Sequence, residues 1–174
     1  MNSLVQDNIT HLIIMNLSKQ IILLEKLTGK KVILEPTLSI EEGEGQLSEQ
    51  DLDMLKKFIS YCLDRLDIHE MPVIQLTVKR AEGSTTGGYV PNDNFIVTYT
   101  KGRHILDVSR TIAHELKHVD QVQNDRLEVD DEDSAESPSE IEATVFAAKI
   151  MRDFSKEFPE IYRESLKRKK RLLK

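Results

Sequence analysis

The chain has 174 residues, of which 39% are hydrophobic and 31% are charged, and its formal net charge is −6. This length and composition are those of a globular protein with a buried core, and the negative charge argues against a nucleic-acid-binding protein as a whole. The longest apolar runs, 12–15 and 21–24, are far shorter than the roughly 20 residues that a membrane-spanning helix needs.

The N-terminal part of the chain, residues 1–70, is predicted to be mainly helical. Apolar residues recur at helical spacing in two segments, and glycine, proline and polar residues separate these segments. The predicted elements are a helix over 8–28, a strand over 32–34, a polar loop over 41–46 and a helix over 48–66.

Cys62 is the chain's one cysteine, so an intrachain disulfide is excluded and a reducing compartment is favoured. It lies within the second predicted helix, where a buried and unreactive thiol is expected. Asp7 and Asn8 stand where a signal peptide would carry basic residues. These features predict a cytoplasmic protein.

The following part, residues 71–162, alternates strands with loops and then becomes helical. No internal repeat or linker is visible, so we expect one α+β domain over 1–174, ending in a basic tail at 163–174. The predicted elements are strands over 73–79 and 94–100, a flexible loop over 83–88, helices over 105–123 and 138–154, an acidic loop over 124–137, and a last helix from 159.

The helix over 105–123 carries the motif His-Glu-x-x-His at 114–118. Residues four apart on a helix project from the same face, so His114 and His118 can both reach one metal ion. Glu115 lies beside them and in line with apolar residues, where a carboxylate is costly unless it has a partner or a role. The motif therefore predicts a zinc site with Glu115 as general base.

A catalytic zinc ion needs a third protein ligand and one open position. Two glutamates at the start of the next helix compete for this role. Glu140 follows the cap Ser137 by three residues, which explains it as part of a capping box. Glu142 has no such explanation. It precedes Phe146 by one turn and is therefore expected on the buried face, where a carboxylate needs a partner such as a metal ion. Glu142 is therefore the favoured ligand.

Three further residues have both a functional and a structural interpretation. Asp107 is on the face of His114 and could orient a ligand, although a surface or capping role is favoured. Tyr89 and His104 could stabilise the developing oxyanion, although roles in a turn and before a helix are favoured. The acidic residues of 125–136 are expected to form a solvated loop that could also cover the site.

The segment 83–162 resembles the gluzincin branch of the zincin metallopeptidases, in which a glutamate from a downstream helix is the third ligand. Its second motif, from Glu142-Ala143 to Ala147-Ala148, is similar to that of ImmA/IrrE-type peptidases, which usually have asparagine where this chain has Thr144. The wider pattern also resembles metallopeptidases encoded by tailed bacteriophages. This resemblance implies a zincin-like fold, in which a small mixed sheet packs on the active-site helix and an edge strand lines the cleft. The strand at 94–100 is expected to take that position.

Motif and resemblance together predict a zinc-dependent peptidase, which cleaves peptide bonds with a metal-activated water and acts on a protein or peptide substrate. It would work in the host cytoplasm if it is phage-encoded. The alternative is a phage structural or regulatory protein whose metal site serves folding or binding. The basic tail could contact nucleic acid or an acidic partner, although a frayed cationic helix end is favoured.

Overall fold

A computed structural model describes residues 37–41, 47–79, 86–126 and 137–164. All of them lie in one compact unit that spans residues 35–174. The predicted helix at 8–28, the strand at 32–34, most of the two polar loops and the tail beyond residue 164 lie outside the described residues. The expectation of a single domain over 1–174 therefore stays a prediction.

The described residues form an α+β fold, as the sequence predicts. A mixed sheet of four strands packs against helices, and a short 3₁₀ turn at Pro91–Asp93 links two of the strands. Residues 159–164 are again helical, as predicted. In chain order the elements are β1 (Leu38–Ile40), α1 (Glu49–Leu63), β2 (Val73–Thr77), β3 (Gly87–Val90), β4 (Phe95–Tyr99), α2 (Ile105–Gln123) and α3 (Pro138–Glu157).

The strand order in the sheet is β1-β2-β4-β3. β2 is parallel to β1 and β4, whereas β3 runs antiparallel to β4. Because β4 is paired on both sides, the expectation that the strand at 94–100 forms an edge is wrong. Within the described part of the chain, the edge next to α2 is β3.

β3 begins within the segment 83–88, which the sequence pattern assigns to a flexible loop. Gly87 and Gly88 disfavour a strand, but Tyr89 and Val90 continue the pairing with β4. A Cβ atom on Gly87 would lie 2.5 Å from Cγ2 of Thr111 and 3.0 Å from the Val97 carbonyl oxygen. The glycine is therefore required for the close approach of β3 to α2.

The core lies where the helices meet each other and the sheet. α1 buries Phe58, whose ring meets that of Phe154 on α3 edge-on, with 5.1 Å between ring centroids. Cys62 is fully buried in the same core and burial raises the pKa of its thiol, as an unreactive structural cysteine requires. Among the described helices, none is long and apolar enough to cross a membrane.

The two adjacent glycines of β3 provide a matched test of this packing. Gly87→Ala should destabilise the fold by about 1–3 kcal/mol, because the added methyl group meets backbone and a branched side chain. Gly88→Ala should change stability by less than about 1 kcal/mol, because no atom lies within 4 Å of the place that its methyl group would occupy. Urea unfolding of both variants measures the difference, and equal midpoints would contradict the tight contact between β3 and α2.

Candidate metal centre

The two motif histidines lie one turn apart on α2 and point to the same place. Nε2 of His114 and Nε2 of His118 are 3.0 Å apart, and the two rings meet edge-on with 4.7 Å between centroids. Both side chains are only partly accessible, at 23% for His114 and 13% for His118. The predicted pairing of these histidines is therefore present in the structure.

Glu140, in the first turn of α3, completes the cluster. Its Oε2 lies 3.1 Å from Nε2 of His114, and its Oε1 lies 3.0 Å from Nε2 of His118. Ligand atoms of the three residues all lie within 4.8 Å of one another, so the group could hold a metal ion. Tetrahedral ligands at about 2.0–2.1 Å from zinc are roughly 3.3 Å apart, close to the 3.0 Å and 3.1 Å contacts that the two imidazoles make with the Glu140 oxygens.

The structure groups Glu140 with the histidines, whereas the sequence pattern favours Glu142. Ser137 does cap α3, and its Oγ accepts a hydrogen bond from the Glu140 backbone N–H at 3.3 Å. The Glu140 carboxylate, however, directs both oxygens at the histidines. The capping pattern thus explains the backbone of this residue and leaves its side chain available as a ligand.

The buried face of α3 explains the difference. This face is formed by Ala143, Ala147, Ile150 and Phe154, whereas Phe146 is only partly buried. Glu140 precedes Ala143 and Ala147 at helical spacing and therefore shares their face. If Phe146 is taken to mark the buried face, Glu142 is expected on that face instead.

Glu142 faces a different set of partners. Its Oε1 lies 2.7 Å from Nζ of Lys117, and its Oε2 accepts a hydrogen bond from Nε2 of Gln121 at 2.8 Å. These two bonds hold the pKa of Glu142 below its ordinary value. Ligation by either glutamate stays a prediction, and the geometry favours Glu140.

Glu115 is buried beside this cluster, with 8% of its surface exposed. Burial is the largest cause that raises the pKa of this carboxyl, to about 7, and the negative charge of Glu140 raises it further. A hydrogen bond from the backbone N–H of Tyr89 acts in the opposite direction. A carboxyl whose pKa is raised in this way can exchange a proton at physiological pH.

The pKa of His114 is lowered from its ordinary value. Burial is the main cause, and the neighbouring His118 and Arg110 act in the same direction, whereas Glu140 opposes them. A lowered pKa favours the neutral imidazole, which is the form that binds a metal ion.

The cluster opens into a cleft of about 800 Å³. One wall is β3, and the others come from α2 and the first turns of α3. Its lining includes Gly87, Gly88, Tyr89, Asp107, Arg110, Thr111, His114, Glu115, His118, Glu140 and Ala147.

The other predicted site residues have structural roles. Tyr89 lines the cleft, but its hydroxyl donates to Oδ1 of Asn94 at 3.1 Å, while its backbone N–H meets Glu115. His104 is the N-cap of α2 and its Nδ1 accepts from the Leu106 backbone N–H. Asp107 is exposed in the first turn of α2, where a carboxylate favours the helix dipole.

One residue at the centre was not identified from the sequence. Gln121 is fully buried on α2, and its Oε1 lies 2.9 Å from Nδ1 of His118. Its position one turn beyond His118 was the available signal, because side chains three apart on a helix are neighbours.

No protein-family model, no curated protein and no solved structure matches the chain significantly. The resemblance to zincin metallopeptidases therefore depends on the motif and on the His-His-Glu geometry.

Metal titration separates the two glutamates. Glu140→Ala removes one of three converging donors and should weaken binding of Zn²⁺, used as the probe ion, by more than about 100-fold. Glu142→Ala leaves all three donors in place and should weaken it much less. Competition against a chromophoric chelator measures both constants, and a larger loss for Glu142→Ala would restore Glu142 as the ligand.

The raised pKa of Glu115 predicts a pH-dependent stability. Between its ordinary value of 4.5 and about 7 the folded chain binds more protons at this group than the unfolded chain, so folding stability falls as the pH rises through this window. Metal-free Glu115→Gln should therefore be more stable than wild type above pH 7. That advantage should shrink towards pH 4.5, by on the order of 3 kcal/mol in total. Urea unfolding across this range tests it, and a pH-independent difference would show that Glu115 titrates normally.

Proposed function

We propose that the protein is a zinc-dependent peptidase whose metal is held by His114, His118 and Glu140. The observation that carries this proposal is a buried carboxyl, Glu115, next to three converging metal-ligand atoms in an open cleft. Two imidazoles and one carboxylate are a ligand set that zinc uses in hydrolytic sites, with one position left for water or substrate.

Glu115 supports hydrolysis over a site that serves folding alone. A metal ion that only stabilises a fold needs closed coordination and has no use for an additional buried acid. Burying this carboxyl beside the negative charge of Glu140 costs free energy, which a catalytic role explains. The alternative of a purely structural or regulatory site leaves both the cleft and Glu115 without a purpose.

A zinc ion at this site supplies Lewis-acid polarisation of the scissile carbonyl and acidifies water. Glu115 then accepts the proton of the attacking water and returns it to the leaving amine. In the metal-free chain, burial raises the pKa of this carboxyl, which makes it a stronger base than an exposed carboxylate.

The shape of the cleft favours an extended peptide. β3 is an edge strand of the described sheet, and its residues Gly87, Gly88 and Tyr89 line the cleft. Gly88 adds no side chain to this edge, and the space beside its Cα is free of other atoms. A substrate strand could therefore pair with β3 and bring a peptide bond to the metal centre.

The test of this function is Glu115→Gln, which keeps the size of the side chain and removes the base. The zinc-loaded variant should bind zinc as wild type does and cleave an unstructured peptide library at least about 100-fold more slowly. Glu49→Gln, an exposed change outside the cleft, is the matched control and should leave the rate unchanged.

Mass spectrometry of the library identifies the products. Equal cleavage by wild type and Glu115→Gln would contradict the role of Glu115. Zinc binding without cleavage by wild type, across a broad library, would contradict the peptidase and favour a binding or structural role.

A further inference from the structure

Gln121 connects the candidate metal centre to the start of α3. It is fully buried, and its side-chain amide makes three hydrogen-bond contacts. Oε1 lies 2.9 Å from Nδ1 of His118, while Nε2 donates to the Ser139 carbonyl at 3.1 Å and to Oε2 of Glu142 at 2.8 Å. The amide thus joins a ligand histidine to the turn that carries Glu140.

The partners of Gln121 fix which way its amide faces. A backbone carbonyl and a carboxylate accept hydrogen bonds, so the NH₂ group must face Ser139 and Glu142. The carbonyl oxygen of the amide must then face His118. Because that oxygen only accepts, Nδ1 of His118 is the nitrogen that carries a hydrogen.

This orientation determines which nitrogen of His118 is available to a metal. With Nδ1–H bonded to Gln121, the nitrogen left for a metal is Nε2, which lies 3.0 Å from Oε1 of Glu140 and 3.0 Å from Nε2 of His114. Hydrogen bonds of this kind commonly fix the ring orientation of metal-binding histidines.

A partly buried ion network holds the amide in place. Nζ of Lys117 lies 2.7 Å from Oε1 of Glu142 and 2.8 Å from Oδ2 of Asp120, and both Lys117 and Asp120 are buried. Arg126 also pairs with Asp120, at 2.7 Å. These contacts keep the Glu142 carboxylate where it receives the NH₂ group of Gln121.

We propose that Gln121 is a positioning residue of the metal centre, and that the pair Lys117–Glu142 keeps its amide oriented towards His118. This inference rests on the proposed metal binding by His114, His118 and Glu140. It assigns Glu142 a supporting role, in which its carboxylate contacts Gln121 and not the metal.

The first test is zinc affinity, measured by chelator competition on the full chain. Gln121→Leu should weaken zinc binding by about 10–100-fold, the usual effect of losing a hydrogen bond to a ligand histidine. Gln123→Leu is the matched control on the same helix, because Gln123 bonds to the backbone of His69 and Glu70. It should lower the melting temperature and leave zinc affinity unchanged.

A rescue separates positioning from general packing. Gln121→Glu alone places two carboxylates against each other and should also weaken zinc binding. Adding Glu142→Gln restores a donor to that contact, while the carboxylate at position 121 still accepts from Nδ1 of His118. The double variant should recover part of the lost affinity, because the Ser139 carbonyl, which accepts from Nε2 of Gln121 in wild type, still faces a carboxylate oxygen.

Nitrogen-15 NMR of zinc-loaded wild type gives a readout that does not depend on any variant folding. The His118 Nδ1–H should appear as a slowly exchanging proton with a hydrogen bond to the Gln121 carbonyl group. Its absence, or wild-type affinity in Gln121→Leu, or no rescue in the double variant, would overturn the proposal. Failure of wild type to bind zinc would overturn the metal site itself, and this inference with it.

Discussion

The geometry of the site depends on where the first turn of α3 meets the second half of α2. A single helix can align two histidines, but the third donor must come from elsewhere in the chain. The packing of α3 on α2 brings Glu140 within 3.1 Å of both imidazoles, where it could be that donor. The His-His-Glu cluster depends on that contact.

Apolar and polar contacts both maintain this junction. Small side chains at Ala143 and Ala147 allow α3 to lie close to α2, and the aromatic contact of Phe58 with Phe154 anchors the far end of α3. Next to the ligands the contact is polar, through Gln121 and the Lys117–Glu142 pair. A buried polar contact is favourable only when each group has a partner, so it defines one arrangement of the helices more sharply than apolar packing does.

Burial also determines the chemistry of the acid. Glu115 is removed from water by the same packing of β3 on α2 that requires a glycine at position 87. The carboxyl has the Tyr89 backbone N–H on one side and the charge of Glu140 nearby. Its raised pKa is therefore a consequence of the fold, and the proposed proton transfer uses it.

Local patterns predicted much of this structure. Apolar periodicity and capping residues identified the three helices and two of the strands, and the motif identified His114 and His118. β3 was not predicted, because its two glycines disfavour a strand by themselves and only pairing with β4 and the close contact with Thr111 on α2 explain them.

The position of Glu140 in the cluster was not predicted, for a related reason. Glu140 and Glu142 are two positions apart on one helix. The small residues Ala143 and Ala147 lie on its buried face together with Glu140, whereas the larger Phe146 suggests a buried face that includes Glu142. Gln121 could not be recognised because its partners, Ser139 and Glu142, meet it only across two helices.

The most direct test of the central claim is a crystal structure of the zinc-loaded protein, with the metal located by its anomalous scattering. The account predicts one zinc ion bound by Nε2 of His114, Nε2 of His118 and the Glu140 carboxylate. Glu115 would be uncoordinated beside a fourth position open to the cleft. A zinc ion bound by Glu142 or Glu115, or bound away from the two histidines, would contradict it.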